Sequence, residues 1–189
     1  MIKLFSLWLY RVSTGKNTLF CLIIFLFFSI LVLPGQSAKA DVYGEDVGSP
    51  DLSLFYTAQE LYDMAEAYGE EGRQAYIQER FTFDLIWPIM YTLFLTTAIS
   101  WLFIRAISPY SWLRITNLVP ILGMVFDYLE NISTSLVMGR YPAQTSIIDS
   151  LATIFTLLKW VSIGGAFILL MAGVALAVSR WVNRRGRAS

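Results

Sequence analysis

Residues 147–178 read IIDSLATIFTLLKWVSIGGAFILLMAGVALAV, a run whose only charges are Asp149 and Lys159. About 20 apolar residues cross a bilayer as a helix, so this run is long enough to span with tilt or to project at one end. Three more apolar stretches precede it, at 18–34, 83–104 and 115–138. Hydrocarbon leaves no partner for a free backbone N–H or C=O, and a helix pairs them within one segment. The expected fold is therefore all-α, a polytopic membrane four-helix bundle.

Composition agrees with that class. The 189 residues are 56% hydrophobic and 15% charged, whereas a soluble domain carries about 25% charged residues. There is no histidine and a single cysteine, Cys21. Disulfide frameworks, zinc sites, His-based triads and His-ligated haem are thereby excluded. Gly164, Gly165 and Gly173 lie inside the apolar run and not in a phosphate-binding loop, so they read as sites of close helix packing. No cofactor, no metal, no catalytic residue and no nucleic-acid partner is expected.

The formal net charge is zero, but the charges are sorted. Segment 1–17 has Lys3, Arg11 and Lys16, the connection after 104 has Arg105 and Arg114, and segment 180–189 has Arg180, Arg184, Arg185 and Arg187, with no acid among them. Segment 39–81 carries ten acids, from Asp41 to Glu79, against Lys39, Arg73 and Arg80. Basic residues near span ends stay in the cytoplasm. Both termini are expected there, in a bacterial inner membrane, with an acidic cap outside. Segment 18–34 has two readings, because Ser37-Ala38-Lys39-Ala40 fits a signal peptidase site. Retention gives four spans; cleavage after Ala40 gives three.

Within the cap, Leu61, Met64, Ala65 and Tyr68 recur at helical spacing, and Thr57 with Glu60 forms a capping-box signature. Gly69 ends that helix, and 72–81 starts another that runs into the second span. Tyr62, Tyr68 and Tyr76 suit the membrane interface. A short extracytoplasmic helical hairpin is expected.

Ionisable residues inside spans are costly and need partners. Counted at 1.5 Å per residue from the outer helix ends, Asp127 and Lys159 each lie about 16 Å deep. Glu130 stands one turn outward from Asp127 on the same face. Lys159 is therefore expected to bridge Asp127, Glu130 or both near mid-bilayer. Polar stripes extend the site: Asp149, Thr153 and Thr156 lead to Lys159, Asn117, Asn131 and Thr134 accompany Asp127, and Asp84, Pro88 and Tyr91 recur on the second span. The expected intramembrane pocket comprises Asp84, Tyr91, Asp127, Glu130, Asn131, Thr156 and Lys159, with Arg73, Tyr76 and Arg80 at its mouth.

Several motifs carry a resemblance. Tyr68-Gly69-Glu70-Glu71-Gly72-Arg73 with Tyr76, Asp127-Tyr128-Leu129-Glu130-Asn131, and Phe155-Thr156-Leu157-Leu158-Lys159 make the chain resemble a family of uncharacterised bacterial four-helix integral membrane proteins. The resemblance covers residues 14–159 and implies a retained first span, but it implies no activity.

Two functions from different classes remain open on these residues. One is a pocket that binds or passes a small solute or a proton, a path for which would need a homo-oligomer. The other is a structural or assembly subunit with a membrane protein partner, in which the polar network is packing cement. In either case the C-terminal Arg cluster suits anionic lipid. An intramembrane enzyme using Asp127 and Glu130 is a weaker third reading.

Overall fold

The computed structural model describes residues 1–35 and 47–185, and every regular element among them is helical. In chain order these are α1 (Ile2–Val12), α2 (Gly15–Phe27), α3 (Ala58–Ala67), α4 (Gly69–Arg80), α5 (Phe83–Ala106), α6 (Val119–Arg140) and α7 (Ile148–Arg185). A π turn, Phe28–Val32, continues α2, and 3-10 turns occupy Pro50–Leu52 and Trp112–Leu118. The signal-peptidase sequence at 37–40, with Lys39, Asp41, Glu45, Asp46 and Arg187, lies outside the described residues.

Three helices are long and apolar enough to cross a membrane: Gly15–Gly35, Gly69–Ala106 and Ile148–Asn183. The fourth expected span, α6, has 22 residues, enough for about 33 Å, but it is too polar to stand among them. Its Asp127, Glu130, Asn131, Ser133, Thr134 and Ser135 are all buried. A helix enclosed by protein need not be apolar on the enclosed face. Gly123 lets it approach α7 so closely that an added Cβ would lie 3.1 Å from Ile163. Gly173 does the same between α7 and α5, where a Cβ would meet Leu102 at 3.1 Å. Of the three glycines the sequence marks for close packing only Gly173 is used so: a Cβ at Gly165 would just touch Val119 at 3.9 Å, and one at Gly164 would meet nothing within 4 Å.

One end of the molecule is tied by α1, which the sequence presented only as a basic leader. Ser6 donates to Asn117 (2.7 Å) and Tyr10 donates to the Arg114 carbonyl (2.8 Å). Asn117 belongs to the 3-10 segment and not to a span beginning at 115, since Pro120 marks the true first turn of α6. Gly15 packs on Trp101, and Arg180 near the far end of α7 donates to the Arg105 carbonyl (2.8 Å). The helix α7 continues through segment 180–185, which is therefore no free tail. Between these ends α2 has no buried residue; it leans on α5 through Phe25, stacked on Phe94 at 5.0 Å and Trp87 at 5.8 Å.

At the opposite end α3 and α4 fold over α6 and α7. The capping box forms as expected: Glu60 N–H donates to Thr57 Oγ1 (3.2 Å) and Thr57 N–H to the Glu60 carboxylate (2.7 Å). The Thr57 N–H, and the Thr57 hydroxyl that also donates to the carboxylate (2.9 Å), hold the Glu60 carboxyl below its ordinary value. Gly69 adopts φ +63°, so α4 begins there and not at 72. The tyrosines correct an expectation, for all three are buried and none faces the membrane interface. Tyr62 donates to Asp149 (3.0 Å), Tyr68 to the Gly48 carbonyl (2.7 Å) and Tyr76 to Thr134 (3.1 Å). Around them Leu61, Met64, Ala65, Val137, Met138 and Ala152 close an apolar core.

An added Cβ at Gly69 would meet nothing within 4 Å, so replacing it isolates backbone cost. We expect Gly69→Ala to lower stability by about 1–2 kcal/mol, the penalty of a left-handed conformation for an L-residue. Thermal unfolding in detergent measures it, and a change under a few tenths contradicts the assignment.

Candidate functional site

Six charged side chains converge where the 3-10 turn Pro50–Leu52 meets the helices. Arg80, the last residue of α4, pairs with Asp51 (3.2 Å), with Asp84 in the first turn of α5 (2.8 Å) and more loosely with the neighbouring Glu79 (3.8 Å), and its guanidinium lies over the Tyr76 ring at 4.6 Å. From α7, Lys159 pairs with Asp51 (3.0 Å) and with Glu130 of α6. Asp51 is thus the link between two cations. The sixth charge, Asp127, makes no ion pair among the described residues. It accepts hydrogen bonds from Tyr91 (3.0 Å) and the Asn131 amide (3.3 Å).

The turn that carries Asp51 can sit among these helices because its backbone is satisfied. The Ser49 carbonyl accepts from the N–H groups of Leu52 and Ser53, the Asp51 carbonyl from Lys159 (3.3 Å), and the Ser53 carbonyl from the Trp160 indole (2.9 Å). Irregular backbone is tolerated at membrane depth only on such terms. Burial alone would push the Asp51 carboxyl up, but Lys159 and Arg80 outweigh it and hold it well below the usual carboxylate range.

The site has two halves. In the first, Thr156 donates to Glu130 (2.5 Å) and stands 2.9 Å from the Tyr56 hydroxyl, while Glu130 also faces Lys159. All four side chains are buried. The second half borders a cavity of about 250 Å³ whose polar lining is Asp51, Asp84, Tyr91, Asp127 and Lys159. Its apolar walls include Phe25 and Leu33 from the α2 rod, Trp87 from α5, and Trp160 and Phe167 from α7. Carboxylate oxygens of Asp51, Asp127 and Glu130 lie within 4.8 Å of one another. The Lys159 ammonium already faces two of the three, so it stands where a metal ion gathered by them would sit.

Several expected members are placed elsewhere. Arg80 lies inside the cluster and not at a mouth. Arg73 donates to the Ala65 carbonyl (2.9 Å) and stacks on Tyr141, clamping α3 to α4. Tyr76 serves as a platform for Arg80, Asn117 belongs to the α1 end, and Asp149 caps α7 beside Tyr62. Lys159 meets Glu130 as expected, but not Asp127. Lys159 is 21 residues from Arg180, and Asp84 is 21 residues from Arg105, about 31 Å of helix in each case. Beyond the cluster α6 and α7 continue to meet α3 and α4.

Asp51 and Tyr56 are members that the sequence does not single out, whereas Trp160 shares the polar stripe of Asp149, Thr153 and Thr156. Asp51 sat among ten acids of one segment, and a turn has no periodicity to mark its inward face. Ser49-Pro50-Asp51 does carry a turn signal, which could have separated it from the others.

No family model matches the chain, nor does any curated protein or solved structure.

Proposed function

We propose that this chain is a membrane-embedded binding component whose chamber holds an exchangeable proton or small cation. In this reading α2, α5, α6 and α7 cross the cytoplasmic membrane of a bacterium, with both termini inside and the α3–α4 hairpin outside. The sorted charges support that orientation. The buried contacts of Ser6 and Tyr10 support a retained N-terminal segment, because cleavage would forfeit them. The chamber then lies at the outer edge of the hydrocarbon and opens sideways between α2 and α7.

The observation that carries the proposal is the charge balance. Asp51, Asp84, Asp127 and Glu130, with Glu79 at the edge, face Arg80 and Lys159, so full ionisation leaves negative charge in excess even without Glu79. Uncompensated charge in such a place costs several kcal/mol, and each bound proton or cation lowers the cost. Asp127 is the natural acceptor: it borders the cavity and lacks a cationic partner among the described residues.

Infrared titration of the reconstituted protein tests this. A protonated-carboxyl C=O band is expected at neutral pH in wild type and is expected to vanish in Asp127→Asn. Alternatively, the carboxylate bands shift when sodium replaces a bulky organic cation, and that shift is lost in the same variant. If neither signal exists, the chamber binds no cation. The saturated arrangement of Glu130, Thr156, Tyr56 and Lys159 favours a structural role for that half, and packing cement would then describe the whole. Passage of a solute through so few helices would require a homo-oligomer.

A further inference from the structure

At the end opposite the charged chamber, a cavity of about 590 Å³ lies between α5, the chain leaving it and the last turns of α7. Arg105 and Arg180 line it, together with Ile104, Ser108, Ala177 and Trp181. Among the described residues each arginine donates one hydrogen bond to the protein. Arg105 gives an N–H to the Trp101 carbonyl (2.8 Å) and lies over the Trp101 ring at 4.2 Å, while Arg180 gives one to the Arg105 carbonyl (2.8 Å). A guanidinium has five N–H groups, so most of each fork remains for a ligand.

No counter-ion stands nearby in sequence: residues 1–35, 101–118 and 178–185 contain neither Asp nor Glu. Both exposed guanidinia line one cavity with no acid near them in sequence, and a phosphate can accept charge-assisted, bidentate bonds from them. Ile104 and Ala177 offer apolar surface beside the arginines, and a tryptophan at the rim is the aromatic that favours the head-group level. About 31 Å of helix separates this level from the chamber, so the two sites lie at opposite faces of one hydrocarbon layer.

We propose that the Arg105–Arg180 cavity binds the phosphate of an anionic phospholipid, with an acyl chain along Ile104 and Ala177. This rests on the membrane placement proposed above but not on the chamber's cation chemistry, and the infrared signals of the chamber report separately on the latter. It also moves lipid recognition from the terminal arginines to a formed cavity.

The test uses the full chain, delipidated in neutral detergent. Thermal unfolding is followed with phosphatidylglycerol, phosphatidylcholine or inorganic phosphate added to wild type, R105Q/R180Q and R184Q/R185Q. Phosphatidylglycerol is expected to raise the midpoint more than phosphatidylcholine does. That advantage is expected to disappear in R105Q/R180Q and to persist in R184Q/R185Q. Its persistence in R105Q/R180Q, or its equal loss in R184Q/R185Q, overturns the proposal. An equal shift with inorganic phosphate overturns the lipid assignment. Should the Gln pair not fold, R105K/R180K keeps the charge without the planar fork. In native mass spectrometry this variant is expected to release its phosphatidylglycerol adduct more readily than wild type, and equal retention overturns the proposal.

Discussion

Lys159→Met is expected to be the most damaging single substitution in the chain, lowering stability by about 3–5 kcal/mol, the range for breaking a buried pair from one side. The side chains of Lys159 and Glu130 are 3% and 1% exposed, so little solvent is present to screen what is left. Removing the ammonium strips Glu130 of its cation and Asp51 of one of two. The remedy follows from the same geometry. In Lys159→Met/Glu130→Gln the orphaned acid becomes neutral while Asp51 keeps Arg80, and most of the loss is expected to return. Denaturation of the purified variants in mixed micelles measures both. If the double variant is no better than the single one, the damage is one of packing and the ion pair is not its cause.

Asp51→Asn is expected to have the second largest effect, through pH. The carboxyl is held below its ordinary value by Lys159 and Arg80. A group depressed on folding contributes stability fully above its unfolded value, about 3.9, and loses the contribution as pH falls below that value. At neutral pH the substitution is expected to cost about 2 kcal/mol, discounted because the side chain is 26% exposed. Lys159 keeps Glu130 and Arg80 keeps Asp84, so the loss is smaller than for Lys159→Met. On acidification below about pH 4 the gap between wild type and Asp51→Asn is expected to narrow. Parallel stability curves across that window would show that the Asp51 charge does not contribute.

Much of the architecture was legible from the residues because apolar runs and capping signals are local. The runs mark α2, α5 and α7, and Thr57 with Glu60 marks the start of α3. The pairing of Lys159 with Glu130 was legible from helix register. Three features were not, for separate reasons. Asp51 lies in a turn, where neighbouring side chains take no fixed period. The hairpin tyrosines have amphipathic rings that suit either an interface or a buried hydrogen bond, and only the neighbours Asp149, Gly48 and Thr134 decide between them. The role of α1 was hidden because nothing local in a short amphipathic segment marks Ser6 and Tyr10 as partners of Asn117 and Arg114, more than a hundred residues away.

The ribosome delivers Asp51 long before Lys159, 108 residues later. While the chain is still being threaded, Asp51 has only Arg80 to face. Among the described residues, the hydrogen-bond donor and the cation that face the Glu130 carboxylate, Thr156 and Lys159, both lie on α7. Only when α7 packs on α6 does Glu130 gain its cation and Asp51 its second one, so Lys159 fastens an early segment of the chain to a much later one.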